Sequence, residues 1–315
     1  MRSTLSTMVI AAALLAPAHA VFAQAFPGKM VRMVIPFPVG GSSDANARII
    51  NPFLAERWKQ QVVLDTRPGA ATVIGTDHVA KSPPDGYTLL LTSTQFTQSP
   101  ATFARLPYDP YIDLVPITLV TIAPQAIVAH PSLPVKNIKE LVALARARPG
   151  ELNMGTAGNI LPTNLFTMLA NVKIETVPYK GAGPLMIDAM GGHVTLAIGA
   201  LSSVQGAVRS GRVRLLGISS PSATFPAAPI IATDVPGFEN DSWFGLFAPR
   251  GTPRDLVSQI RDDVAAVLQI PDVIQRIHAI GSEPGGQTPD EFATRIRNEI
   301  ARWLKVAKAA GLKPQ

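Results

Sequence analysis

Met30-Val31-Arg32-Met33-Val34-Ile35-Pro36-Phe37-Pro38-Val39-Gly40-Gly41-Ser42-Ser43-Asp44 is the stretch on which the architecture turns. The apolar run to Ile35 reads as a buried strand. Ile49, Ile50, Phe53 and Leu54 downstream fall on one side of a helix. Between strand and helix stand two glycines, two hydroxyls and an Asp, which is the composition of a tight turn opening a helix. Glycine permits a positive φ and close approach of a ligand. The first N–H groups of a helix lack internal partners and carry partial positive charge, so such a turn can seat an anion. An ordinary strand-to-helix connection, with Ser43 or Asp44 as cap, would use the same residues.

Asn153-Met154-Gly155-Thr156-Ala157-Gly158-Asn159 is a second stretch of the same kind. It precedes a helical pattern through Leu165, Phe166, Met168 and Leu169. Two Gly-rich strand-to-helix turns on facing α/β lobes would converge on one small anion, as in a clamshell receptor.

The composition fits that plan. The chain has 315 residues, 47% of them hydrophobic and 16% charged, enough for a large core in one domain or two. With no cysteine, disulfides, thiol nucleophiles and thiolate metal sites are excluded. The formal net charge of +6 gives a modest pull on anions, but no basic cluster interleaved with aromatics points to nucleic acid. Residues 1–25 read as a secretory signal peptide. Arg2 precedes a short apolar run from Met8 to Ala16, and Ala18-His19-Ala20 and Ala23-Gln24-Ala25 both offer small-x-small cleavage sites, with cleavage after Ala25 favoured. The expected product is periplasmic, without a lipid anchor.

The pattern further along predicts strands at Gln61–Leu64, Tyr87–Thr92, Ile174–Val177, Val194–Ile198 and Val213–Ser219. Helices alternate with them, which argues for parallel-type sheets covered on both faces. Pro52 is expected to kink or split the first helix. Ser93 to Gln98 reads as a polar loop. The apolar run Ile117–Ala129, broken at Pro124, suits a strand passing from one lobe to another. This divides the chain into a first lobe (26–123), a second lobe (124–220) and a return to the first (221–315). Asn137 with Glu140 resembles a capping box, and Thr288 with Glu291 has its full spacing. Thr252 reads as an N-cap with Pro253 at the first helical position.

The inventory for catalysis is thin. There is no Gly-x-Ser-x-Gly elbow, Walker loop or His-Glu-x-x-His motif, and the histidines stand apart. Ser42 and Ser43 have no evident base, and Asp44 at a helix start is better placed as a cap than as a general base. The expectation is therefore no catalytic residue, no metal and no cofactor.

A set of ordered motifs carries a family resemblance. These include Phe26-Pro27-Gly28-Lys29, Pro36-Phe37-Pro38-x-Gly40-Gly41-x-x-Asp44, Arg67-Pro68-Gly69-Ala70 and Pro84-Asp85-Gly86-Tyr87-Thr88. Ala157-Gly158-Asn159, Val177-Pro178-Tyr179-Lys180-Gly181, Trp243-Phe244-Gly245-Leu246 and Glu299-Ile300-Ala301-Arg302-Trp303 continue the series. The chain resembles extracytoplasmic solute receptors of the tripartite tricarboxylate transporter class, the Bordetella-uptake-gene (Bug) type, over essentially its whole mature length. The resemblance implies an α/β type II periplasmic-binding-protein fold with two lobes, a cleft and hinge crossings. It implies a small carboxylate held between the Gly turns, partly through water, and delivered by a monomer to membrane permease subunits. Phe37, Val39, Gly40, Gly41, Ser42, Ser43, Asp44, Ser93 and Gln95 are the expected ligand contacts on one side. Thr156, Ala157, Gly158, Asn159, Asn164, Tyr179 and Gly199 are those on the other.

Departures from the family pattern bear on the ligand. Ile160-Leu161 and Asn164 stand where relatives commonly carry Gly-Thr and a His, and Gly199 stands where many carry Asp. Loss of that carboxylate, with Phe96 nearby, would favour an aromatic or otherwise apolar carboxylate over an amino acid. Ile160 and Leu161 could equally pack the next helix. A sensor partner of a membrane kinase would share the fold, and an exported hydrolase would need a nucleophile–base pair.

Overall fold

The computed structural model describes residues 26–157 and 159–314. Residues 1–25, read from the sequence as a signal peptide, and Gly158, an expected ligand contact, lie outside the described residues. The elements run β1 (Val31–Ile35), α1 (Ser42–Trp58), β2 (Val62–Thr66), α2 (Val73–Ala80), β3 (Thr88–Ser93), α3 (Gln95–Thr102) and β4 (Leu114–Ala123). Then follow β5 (Gln125–Ala129), α4 (Ile138–Ala147), β6 (Asn153–Ala157), α5 (Leu161–Ala170), β7 (Glu175–Tyr179), α6 (Ala182–Gly191), β8 (Leu196–Ala200), α7 (Leu201–Arg209) and β9 (Arg214–Ile218). The chain finishes with α8 (Ile231–Asp234), β10 (Ser242–Pro249), α9 (Arg254–Leu268), α10 (Pro271–Ala279), β11 (Glu283–Pro284) and α11 (Pro289–Ala309).

Two sheets result, ordered β11-β4-β10-β3-β1-β2 and β7-β6-β8-β5-β9. They share one plan. In each, the Gly-turn strand (β1 or β6) pairs in parallel with the two strands that follow its helix. An antiparallel strand, β10 or β5, then joins that trio to the far strand. The sheets are thus of the expected parallel type in their β1-β2-β3 and β6-β7-β8 trios, and mixed through the antiparallel strands added to them. Each antiparallel member comes from a crossing. The strand β4 runs through Pro124 directly into β5 of the other sheet, and the segment after β9 leads back to β10.

Side-chain alternation supplies the layers. Leu89 and Leu91 of β3 face a core built with α1, α9 and α10, while Leu90 faces a second core with α2, α3 and α11. In the other sheet Ile127 and Ala129 of β5 face α4 and α5, and Ala126 and Val128 face α6 and α7. The return is later than expected: Ile231, Val235 and Phe238 still belong to the second sheet's core, and the first sheet is rejoined at Ser242.

Three local readings change. Ser93–Gln98 is not a loop; α3 begins at Gln95 and buries Phe96, Thr97, Gln98 and Ser99. Phe96 is stacked with Tyr108 and tilted against Phe247, so burial imposes a helix that propensity alone does not announce. Pro52 does not split α1, which continues to Trp58. Pro52 is exposed, so the carbonyl it leaves unpaired can turn to water. Thr252 is not an N-cap: its hydroxyl donates to Pro249 O and the helix starts at Arg254. The Thr288 capping box is complete. Asn137 accepts from Glu140 N at 2.8 Å, but Glu140 accepts in return from Lys136 N and from the Asn137 side-chain amide, not from the cap residue's backbone N–H.

The last helix joins both halves. Phe292, Ile296 and Ile300 fill the first lobe's core, whereas Trp303, Val306 and Ala307 fill the second's. Between these sets sits Glu299, buried, accepting from Trp243 Nε1 at 2.9 Å and Thr97 Oγ1 at 2.9 Å, beside Arg295 and Arg302. Burial outweighs these favourable contacts and raises its carboxyl above the ordinary range.

Candidate functional site

The parallel strands β1, β3, β6, β7 and β8 each hand over at their carboxyl ends to a helix, and these handovers surround one cavity of about 500 Å³. Ligands of open α/β sheets bind at that edge, where strand order switches direction. The walls include the starts of α1 (Ser42, Ser43), α3 (Gln95), α5 (Pro162), α6 (Ala182) and α7 (Ser203). Gln125 and Ser242, at the beginnings of β5 and β10, close the side nearest the crossings.

The first Gly turn is built as the sequence requires. Gly40 has φ of +85°, a conformation that favours glycine, and Gly41 is extended in ψ at 178°. A Cβ built on Gly41 meets only Pro38 O, at 3.5 Å, and the residue lines the cavity, so a longer side chain there has that space to enter. Asp44 holds the turn from beneath. Its Oδ2 accepts from Gly40 N at 3.0 Å and Arg48 Nε at 2.9 Å. The Arg48 bond, then the Gly40 N–H, holds the carboxyl below the usual range, so it stays ionised at neutral pH. On the other lobe Asn159 opens α5: its Oδ1 accepts from Leu161 N at 3.0 Å and its carbonyl from Thr156 Oγ1 at 3.0 Å. Its Nδ2 donates across the cleft to Gln98 Oε1 at 2.7 Å.

Of the residues expected at the ligand, Phe37, Val39, Gly40, Gly41, Ser42, Ser43, Ser93, Gln95, Thr156, Ala157, Asn159 and Gly199 line this cavity. Asp44 does not; it is buried in the turn and shapes it. Asn164 lies a turn inside α5, its N–H bonded to Ile160 O, and contributes no wall. Tyr179 is turned to Asp188, donating its hydroxyl at 2.8 Å; burial, then Asp188, pushes the phenol up to about 12. Phe96 and Leu161 are in the cores and Ile160 faces elsewhere, so the apolar character expected from them is absent here. Phe244, Ile198 and Pro162 supply apolar wall in their place. Sequence reasoning missed Thr94, Gln98, Gln125, Ser203, Ser242 and Phe244. For Ser242 and Phe244, the Trp243-Phe244-Gly245-Leu246 motif was the available signal.

Among the described residues lining the cavity, none is charged and none is histidine. Its polarity comes from hydroxyls, amides and backbone N–H groups. Each helix start contributes roughly 0.3–1 kcal/mol to an anion near it. The field therefore favours an anion without a side-chain counter-ion, and the lining shows no acid–base or nucleophile–base pair.

Comparison with known proteins agrees with this geometry. The family described as "Tripartite tricarboxylate transporter family receptor" matches residues 46–312. Protein BugT of Bordetella pertussis is 37% identical over 303 residues, 93% of each chain. The structure titled "R. palustris Rpa4515 with adipate" has TM-score 0.77 and 36% identity, covering 92% of this chain and 100% of that one. MatC of Rhodopseudomonas palustris, solved with bound malate, has TM-score 0.74 and 29% identity, covering 90% and 100%.

Proposed function

Since the chain belongs to the tripartite tricarboxylate transporter receptor family, of the Bug type, we propose that it captures a small aliphatic dicarboxylate between its lobes and presents it to a membrane permease. The observation that carries this reading is a cleft ringed by five helix starts and lined by uncharged side chains. Adipate and malate, held by the related proteins, have the matching chemistry. A carboxylate at the Gly40–Ser43 turn draws the facing turn toward it, so binding selects the closed arrangement of the lobes.

The test is calorimetric titration of the ligand-free mature protein with dicarboxylates, tricarboxylates, aromatic acids and amino acids. Dicarboxylates are expected to bind and to raise the melting temperature; ligand at about a hundredfold over its Kd stabilises by roughly 2.7 kcal/mol. Gly41→Leu, which fills the space above the turn, is expected to abolish binding with the fold retained. Response to amino acids or sugars alone, or unchanged affinity in Gly41→Leu, would refute the proposal. Transport coupling is tested separately, by growth on the bound acid after deletion of the receptor.

A further inference from the structure

Behind the Gln98–Asn159 contact lies another cavity, of about 460 Å³. Gln95, Gln98 and Asn159 line both cavities, so the partition between them is made of these side chains. It joins α3 of one lobe to the turn before α5 of the other, and one neutral hydrogen bond, from Asn159 Nδ2 to Gln98 Oε1, spans it.

The two cavities differ in chemistry. Among the described residues, the first has no charged side chain in its lining. The second has one, Lys313, together with apolar surface from Ala101, Phe103, Ile160 and Leu312. Ile160, which contributes nothing to the first cavity, is thereby accounted for. An uncharged anion seat, a partition closed by one exchangeable hydrogen bond, and an apolar chamber with an ammonium group form a sequence. An α,ω-dicarboxylate has matching parts: carboxylate, methylene chain, carboxylate.

We infer that the second cavity is an extension of the ligand cleft, which takes the distal methylenes and second carboxylate of an α,ω-dicarboxylate longer than the first cavity holds. The inference rests on the carboxylate-receptor reading above. Entry of the chain opens the Gln98–Asn159 hydrogen bond; Gln98 is buried, so unless its amide takes the ligand or water as a new partner the opening weakens binding by roughly five- to a hundredfold. Burial of each further methylene corresponds to about fourfold in affinity. Lys313 is exposed, so screening limits its contribution to roughly threefold.

The experiment is calorimetric titration of the protein, freed of ligand by reversible unfolding, with the diacids from succinate to dodecanedioate and with decanoate. Wild type, Ile160→Trp and Lys313→Gln are compared. Beyond adipate, affinity is expected to rise by about fourfold per methylene once the chain has passed the Gln98–Asn159 partition. Ile160→Trp fills the chamber and is expected to erase that rise while adipate binds as before. Lys313→Gln is expected to weaken sebacate about threefold and to leave decanoate unchanged. Adipate binding with no gain for sebacate would overturn the extension alone, as would an Ile160→Trp effect equal for both acids. Failure of every carboxylate, short and long, would overturn the receptor reading with it.

Discussion

Replacing Gly199 by Asp tests whether the cleft selects anions by helix-start electrostatics. Gly199 lines the cavity on β8, and a Cβ built on it meets only Val204 Cγ1, at 3.8 Å, an ordinary contact. The fold is thus expected to accept Asp, Asn or Ala. An Asp there puts a carboxylate among walls that hold no cation. Two like charges about 5 Å apart at an effective dielectric near 20 repel by about 3.3 kcal/mol, a loss of roughly two orders of magnitude in affinity. Protonating the new Asp at pH 7 would cost about 4 kcal/mol, so it stays ionised and the full loss appears. At pH 5 protonation costs about 1.5 kcal/mol, and the loss shrinks to about tenfold. The assay is calorimetric titration with adipate at both pH values, with Gly199→Asn as the uncharged control of equal size. Its titration also corrects for protonation of the ligand itself. Equal affinities for the Asp and Asn variants at pH 7 would refute the electrostatic argument, because the cavity would then be indifferent to charge.

Ala71 has φ of +47° and ψ of +49°, a left-handed conformation, and its side chain is exposed. Ala71→Gly is expected to stabilise by up to about 1 kcal/mol in urea unfolding, reduced by the entropy glycine adds to the unfolded chain. Destabilisation would show that the left-handed turn is not strained. Glu299 has its folded pKa raised above the unfolded value, so the native state holds its proton more tightly. This contribution to stability is full below the unfolded pKa and is lost as pH rises through the folded one. Glu299→Gln is expected to flatten the fall of unfolding free energy over that window, followed by urea melts from pH 4 upward; an unchanged slope would refute it. Thr288→Ala removes the capping box on the last helix and is expected to cost about 1 kcal/mol, with Thr288→Ser restoring most of it.

Local signals in the sequence were enough to place β1, the Gly40–Gly41 turn and the second turn at Thr156, because strand period, glycine and helix start are encoded within a few neighbours. Thr288 and Glu291 were legible for the same reason. What was not legible depends on distant parts of the chain. The helix α3 carries Pro100 and few strong formers, and exists because Phe96 is enclosed by Tyr108 and Phe247. Gln125 and Ser242 reach the cleft only because two crossing strands start at its edge. Asp44 and Tyr179 have the chemistry of ligand contacts but spend it inside the protein, on Gly40 and Arg48 and on Asp188. Residue type does not distinguish such internal use from contact with a ligand; only the partner does.

The last helix also makes the completion of both cores depend on one late segment of the chain. Phe292, Ile296 and Ile300 complete one core and Trp303, Val306 and Ala307 the other, and all are made after every strand of both sheets. Without this helix the first lobe lacks part of the wall over one face of its sheet, and the second lobe lacks the side chains that close one of its two cores. A chain ending before Trp303 leaves an open core in the second lobe and, if it also lacks Phe292, in both.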